Sequence, residues 1–253
     1  MNIKELTGKR FVKIVSRGNK AIWYALKIGK KLNKKKVIIQ DQGGWISYKL
    51  YPKRLKLKLI ELETDHGLID LANLKEVIDN HTILLINSMP AYAVEENMKA
   101  IYKEAKRVNA LLINDVSGSI GTRNSKIGHI LVCSFGKDKP LNIGYGGFIA
   151  SNNYLHLINI KEIAIPELNQ KLNQLKSRVN YLYSLNKKIK NELARFDILH
   201  KDKRGINVIV KFNSSKIKNK LIEYCEKNKY PYTLCPRYIR VNCNAISIEV
   251  KRL

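Results

Sequence analysis

Short apolar runs alternate with stretches of helical periodicity from Val12 to Ala150, and this alternation constrains the fold more than any other feature. The runs are Val12–Val15, Val37–Ile39, Leu57–Leu62, Thr82–Ile86, Leu111–Ile113, Ile130–Cys133 and Phe148–Ala150, several of them rich in β-branched residues. Between them, Ala21, Ile22, Ala25, Leu26 and Ile28 recur at helical spacing, as do Met98, Ile101, Tyr102 and Ala105 within Glu95–Val108. A further helix is expected after Trp45 through Tyr51, another over Leu68–Ile78, and a short one over Ile3–Phe11. Runs too short for helices and apolar throughout belong to strands covered on both faces. The pattern predicts an α/β fold, a mainly parallel sheet flanked by helices. The lysine run Lys30–Lys36 reads as a solvated loop.

From Ile165 the character changes. Pro166 suits a first helical position, and a long Leu-, Lys- and Asn-rich helix is expected over Glu167–Phe196. A strand over Gly205–Val210, a helix over Ser215–Lys229, and strands over Tyr238–Val241 and Ile246–Val250 would complete a small α+β domain. The expected division is a large domain over residues 1–160, then a linking helix and small C-terminal domain over 161–253.

In open parallel sheets ligands gather beyond the carboxyl ends of strands. Gly18, Trp45, Asp115 and Lys139 each lie just beyond a predicted strand end. The stretch Cys133–Ile149, CSFGKDKPLNIGYGGFI, sets Lys137 and Lys139 after one apolar run and Gly144, Gly146 and Gly147 before the next. Such a lysine could hold an aldehyde cofactor as a Schiff base, and the plain alternative is a surface hairpin with a Gly-rich turn. Ser16-Arg17-Gly18-Asn19-Lys20 opens a helix, and free N–H groups there suit a phosphate. Trp45, after a glycine pair, is either a core tryptophan or a ring that covers a flat ligand.

Lys and Arg number 47 against 21 Asp and Glu, a formal charge of +26. This excess attracts polyanions without sequence preference, so nucleic acid is a possible partner. The lysines are spread through the chain rather than gathered in one arm, which fits a general lysine bias equally well. Cys133, Cys225, Cys235 and Cys243 show no metal spacing and read as buried thiols in a reducing compartment, and the five histidines suggest no metal. The opening MNIKELTGKRFVKIV lacks the apolar core of a signal peptide, and no run approaches a membrane span, so a cytoplasmic location is expected.

Taken together, these stretches resemble the pyridoxal-phosphate enzymes of the aspartate-aminotransferase fold (fold type I), and within it the DegT/DnrJ-type sugar aminotransferases in a shortened form. Gly18-Asn19-Lys20-Ala21 is similar to the family's phosphate-binding turn, Trp45 to its ring-stacking aromatic, and Thr64–Asp70 to the segment before its next helix. Ile113-Asn114-Asp115 through Gly121 resembles its strand-end aspartate motif. Ser134-Phe135, then Lys139, then Gly146-Gly147 resembles its lysine motif. The resemblance implies pyridoxal 5'-phosphate as cofactor, with Lys139 rather than Lys137 forming the internal aldimine and serving as general base. Asp115 would pair with the pyridine nitrogen, and Ser134 with Gly18, Asn19 and Lys20 would hold the phosphate. The surroundings of Lys139 are expected to lower its pKa. For Asp115 and Ser134 taken singly, a turn aspartate and a plain strand serine are the alternatives.

The family's Gln or His three residues past the aspartate is Gly118 here, so a contact to the cofactor's phenolic oxygen is missing or moved. Arg237 and Arg240 read as solvated arginines, with a substrate carboxylate as the alternative, and Tyr92 is a minor candidate for the pocket. By resemblance the chain would be an aminotransferase taking a small amino donor and a keto acceptor, such as a nucleotide-linked sugar, in a homodimer. The rivals are a pyridoxal-phosphate lyase and a non-enzymatic, RNA-binding relative on the same fold.

Overall fold

The computed structural model describes residues 2–253. A first turn of helix, α1 (Ile3–Thr7), is closed at both ends. Asn2 and Glu5 form a reciprocal capping box, and Gly8 takes the left-handed conformation that stops the helix. The helix therefore ends four residues short of the expected Phe11, which instead opens β1 (Phe11–Val15). There follow α2 (Gly18–Lys31), β2 (Lys36–Gln40), α3 (Ile46–Arg54) and β3 (Lys58–Leu62). The lysine run is thus mostly structured at its two ends. A two-stranded ribbon, β4 (Thr64–Asp65) and β5 (Leu68–Ile69), takes the start of the helix expected from Leu68, leaving α4 (Leu71–Val77). Then come β6 (Thr82–Asn87), α5 (Met98–Arg107), β7 (Leu111–Asp115), β8 (Ile130–Ser134) and β9 (Gly147–Ser151).

The main sheet has the order β1-β9-β8-β7-β6-β2-β3. Its pairs from β8 through to β3 are parallel, while β9 is antiparallel to both β8 and β1. Because β1 opposes β9 and β9 opposes β8, β1 points the same way as the parallel strands. Its exit at Ser16–Gly18 therefore emerges at the same sheet edge as the ends of β2, β6, β7 and β8.

Alternate strand residues divide between two apolar layers. Val37, Ile39, Ile83, Leu85, Leu111 and Ile113 pack under α2 and α3. Their neighbours Ile38, Leu84, Ile86 and Leu112 pack under α4 and α5. Coverage on both faces is why these strands read as unbroken apolar runs, each fully buried Leu or Ile contributing about 1.5–3 kcal/mol.

The long helix α6 (Leu168–Glu192) changes partner along its length. Leu172, Leu175 and Val179 pack on the main sheet beside Phe148 and Leu131, whereas Leu182 and Ile189 pack on the smaller sheet. That sheet comprises β10 (Val208–Lys211), β11 (Tyr232–Cys235) and β12 (Ala245–Ile248) in the antiparallel order β10-β12-β11, with α7 (Ser215–Lys227) against it. Here the expected strand at Tyr238–Val241 is corrected. That stretch is a turn, closed by Arg240 N–H donating to the Arg237 carbonyl, and the strand lies at Tyr232–Cys235 instead. The turn is drawn toward the large domain, where Gly43 N–H donates to the Tyr238 carbonyl at 2.8 Å.

Candidate active site

One cavity of about 380 Å³ opens at the carboxyl edge of the main sheet, within the size range of small-molecule sites. Gly18, Asn19, Trp45, Asp115, Ser134 and Lys139 all line it. Lys20 does not: it is exposed on the outer side of α2, and Arg17 lines the cavity in its place. Among the described residues no group of histidine, cysteine and carboxylate side chains is placed to hold a metal.

The N-terminus of α2 is brought against the end of β8 by the absence of side chains. A Cβ on Gly18 would stand 2.5 Å from Ser134 Cβ, and one on Gly147 would stand 2.4 Å from the Cys133 carbonyl oxygen. No side chain caps α2, its N-cap Arg17 is extended, and no acid lies in its first turn. Its free N–H groups and positive dipole end therefore face the cavity without a competing anion. We expect Gly18→Ala to cost about 1–3 kcal/mol in denaturant unfolding through overpacking against Ser134, and to weaken uptake of a phosphate-bearing ligand.

Asp115, at the end of β7, is buried with both oxygens held. Oδ2 accepts from the Tyr48 hydroxyl at 2.6 Å and Oδ1 from Ser117 N–H at 2.9 Å. Burial, then the adjacent Asp115, pushes the Tyr48 hydroxyl well above its usual pKa, so it stays protonated as a donor. Ser134 N–H in turn donates to Ser117 Oγ at 2.8 Å, which locks the ends of β7 and β8 together.

Trp45 is not a core residue, being 40% exposed. Its Nε1–H donates to Asn19 Oδ1 at 2.9 Å, so Asn19 fixes the indole rather than facing a phosphate with its side chain. Lys139 lies on the connection between β8 and β9. That pair is an antiparallel hairpin, as the plainer reading of the stretch had it, yet its two lysines differ. Lys137 also lines the cavity but is exposed, while the Lys139 ammonium turns inward between Trp45 and Tyr92, 5.4 and 4.6 Å from their ring centroids, and donates to the Tyr92 hydroxyl. Burial alone would lower its pKa, but Tyr92 and the charge of Asp115 outweigh it, and the net shift is upward. The expected lowering by the protein's surroundings is thus reversed.

Arg240, read as solvated, is buried. Its Nε and Nη2 grip Glu249 at 2.5 and 2.6 Å, so that edge of the guanidinium is spent within the protein although the residue lines the cavity. Arg237 is exposed. The residues that sequence reading passed over are Tyr48, Ser117, Arg17 and Glu249, with Tyr92 given little weight. The only signal for Tyr48 was its place three residues into the helix after Trp45.

The model of the DegT/DnrJ/EryC1/StrS aminotransferase family matches residues 1–196. The chain belongs to this family. The MJ1341 family C-terminal domain model matches residues 172–253, covering most of α6 and the small sheet. A probable glycine dehydrogenase (decarboxylating) subunit 1 of Staphylothermus marinus is 28% identical over 127 residues, covering 46% of this chain and 27% of that protein. The chain thus spans about a quarter of the length of that curated relative. Among solved structures, 3-amino-5-hydroxybenzoic acid synthase superposes with a TM-score of 0.74 at 13% identity, covering 98% of this chain and 83% of that one. NtdA from Bacillus subtilis, solved with bound cofactor PMP, gives 0.70 at 16% identity, covering 97% and 71%. These likenesses show the fold.

The family is pyridoxal-phosphate-dependent, and the DegT-family chain's cavity fits that cofactor. An uncapped helix N-terminus beside Ser134 and Arg17 suits the phosphate. A buried carboxylate suits a protonated ring nitrogen, and an inward lysine suits an aldehyde.

Proposed function

We propose that the chain is an aminotransferase that attaches pyridoxal 5'-phosphate through Lys139 and moves an amino group between a small amino donor and a keto acceptor. The observation that carries this is the convergence of Lys139, Asp115 and the bare α2 N-terminus on one cavity. When bound, the cofactor supplies an aldehyde that captures amines and a ring that withdraws electrons from the carbon bearing them. Gly18 and Asn19 N–H groups, Ser134 Oγ and Arg17 would hold its phosphate. Asp115, held by Tyr48 and Ser117, would keep a positive charge on its ring nitrogen. Trp45 would cover one side of the cavity and exclude water. Lys139 Nζ is the group placed to take a proton from the amine-bearing carbon and return it. The test is transfer of a labelled amino group from a panel of amino acids to keto acceptors, with nucleotide-linked keto sugars included because the chain resembles sugar aminotransferases. Transfer to none of them would overturn the reading.

A homodimer and a cytoplasmic location belong to the same proposal. Exposed Trp45 at the cavity, followed by exposed Ile46 and Leu50 on α3, supports a second copy there, and no described helix is long and apolar enough to cross a membrane. The glycine dehydrogenase (decarboxylating) name of the Staphylothermus relative favours a lyase-type cleavage of an amino acid as the second reading. Carbon dioxide release from labelled amino acids, without amino transfer, is its outcome. The charge of +26 supports contact with a polyanion. If RNA binds, its affinity should fall steeply and log-linearly with salt, and a flat salt dependence would exclude the charge as the cause.

A further inference from the structure

Tyr92 stands where a departure from the family pattern meets a strained turn. The first is Gly118: a Cβ there would lie 2.9 Å from Tyr92 Cδ1, so the missing side chain is what admits the tyrosine ring. The second is the backbone of Ala91 and Tyr92, two consecutive non-glycine residues at φ 54° and 63°, a conformation that L-residues avoid unless their surroundings impose it. The surroundings here belong to both domains. Ala91 N–H donates to the Gly43 carbonyl at 2.9 Å in the large domain. From the small domain, Ile206 and Asn207 N–H both donate to the Tyr92 carbonyl at 2.8 Å, and Asn207 Nδ2 donates to the Ala91 carbonyl at 3.2 Å. Gly205 is pressed so close that a Cβ would stand 2.0 Å from the Ala93 carbonyl oxygen.

This grip fixes the hydroxyl of Tyr92, whose hydrogen bond is with Lys139 Nζ. The ring is also faced by Lys251 Nζ at 4.9 Å and the Arg240 guanidinium at 5.8 Å, both carried by the small domain and both tied to Glu249. The charged groups that act on the lysine are Asp115 from the large sheet, and Arg240 and Lys251 from the small domain, with Arg17 and Lys137 also lining the cavity.

We infer that Tyr92 is a positioning residue for Lys139: held by the small domain and admitted by Gly118, its hydroxyl keeps the lysine amine turned into the cavity and stabilises it as the ammonium. The inference concerns how the lysine is controlled and rests on the cofactor reading for its significance in the reaction. In chemical terms the hydroxyl oxygen accepts an N–H of the ammonium in a charge-assisted bond that is stronger than the one it makes with the neutral amine, so the protonated form is favoured and the attacking form of Lys139 is held in reserve. Any displacement of the small domain that drags the Ala91–Tyr92 turn would release it.

The experiment is reductive methylation of cofactor-free protein with formaldehyde and cyanoborohydride, from about pH 6 to 11, read at individual lysines by peptide mass spectrometry relative to exposed Lys137. It compares wild type, Tyr92→Phe and Gly118→Ala. Phenylalanine keeps the ring and loses only the hydroxyl, so the fold is retained. We expect the Lys139 rate profile to move to lower pH in Tyr92→Phe, with several-fold faster methylation near neutrality, while exposed Lys137 is unmoved. Gly118→Ala, by displacing the ring, should move Lys139 in the same direction. An unchanged Lys139 profile in folded Tyr92→Phe overturns the inference, since a purely structural tyrosine would leave it in place. Should Tyr92→Phe not fold, the Gly118→Ala profile decides on the same terms. A parallel run with pyridoxal phosphate and borohydride separates the two readings. No adduct at wild-type Lys139 would sink the cofactor proposal while leaving the methylation profiles to judge Tyr92.

Discussion

Lys139→Ala should leave the fold intact and abolish covalent retention of pyridoxal phosphate. The side chain is a guest in the cavity: its amine meets Tyr92 and faces the Trp45 and Tyr92 rings, and nothing in the sheet hangs on it. Truncation removes an interior cation that feels the charge of Asp115 without a direct ion pair to it, and thermal stability should stay close to wild type. Gly18, Ser134 and Arg17 remain in the variant, so phosphate-dependent binding should persist in a weaker, dialysable form. Amino transfer should fall by at least about a thousandfold, as losses of a nucleophile that also handles the proton do. The checks are cofactor retention after dialysis, the melting curve, and the rate of labelled amino transfer. Lys137→Ala, which removes the exposed neighbour, should leave all three nearly unchanged.

Glu249→Ala should be the most damaging single change to stability outside the apolar core. The carboxylate is fully buried and receives Arg240 through two N–H groups, Ser247 Oγ at 2.9 Å and Asn207 Nδ2 at 3.2 Å, with Lys251 3.7 Å away. Burial opposes its charge, but Arg240 first, then Lys251 and Arg252, hold its pKa below the usual carboxylate value. Removing it leaves the buried Arg240 guanidinium without its counter-charge, a loss of about 3–5 kcal/mol in denaturant unfolding. The pH dependence follows from Lys251, which desolvation, against the pull of Glu249, lowers to about 7. Because the unfolded chain holds that proton up to about pH 10.4, it binds more protons than the folded chain between the two values. This group's contribution to stability therefore rises with pH across that window. In Glu249→Ala the folded-state value falls further, so the window opens at lower pH. A loss that is the same at every pH would contradict this account.

The sheet was legible because burial on both faces writes itself as runs such as Thr82–Ile86 and Leu111–Ile113, and the carboxyl-edge location of the site followed from where those runs end. Strand β11 was missed for the same physical reason. Tyr232–Cys235 is an edge strand with Leu234 44% exposed, so it carries no such run, while Tyr238–Val241 imitates one. Individual cavity residues near strand ends could be named from spacing and resemblance. Their partners could not, because the bonds that set their chemistry join distant positions. Tyr48 and Asp115 are 67 residues apart, Tyr92 and Lys139 are 47 apart, and neither pairing leaves a mark on local pattern. Arg240 shows the same limit: a basic residue in a very basic chain looks solvated until Glu249 is seen to bury it.

The measurement closest to the central claim is borohydride reduction of the wild-type protein loaded with pyridoxal phosphate, followed by peptide mass spectrometry. We predict one stoichiometric adduct, on the peptide carrying Lys139 and localised to that residue by fragmentation. An adduct on Lys137, which lines the same cavity, would contradict the choice of lysine, and a scatter over surface lysines or none at all would contradict the assignment of this cavity as the cofactor site.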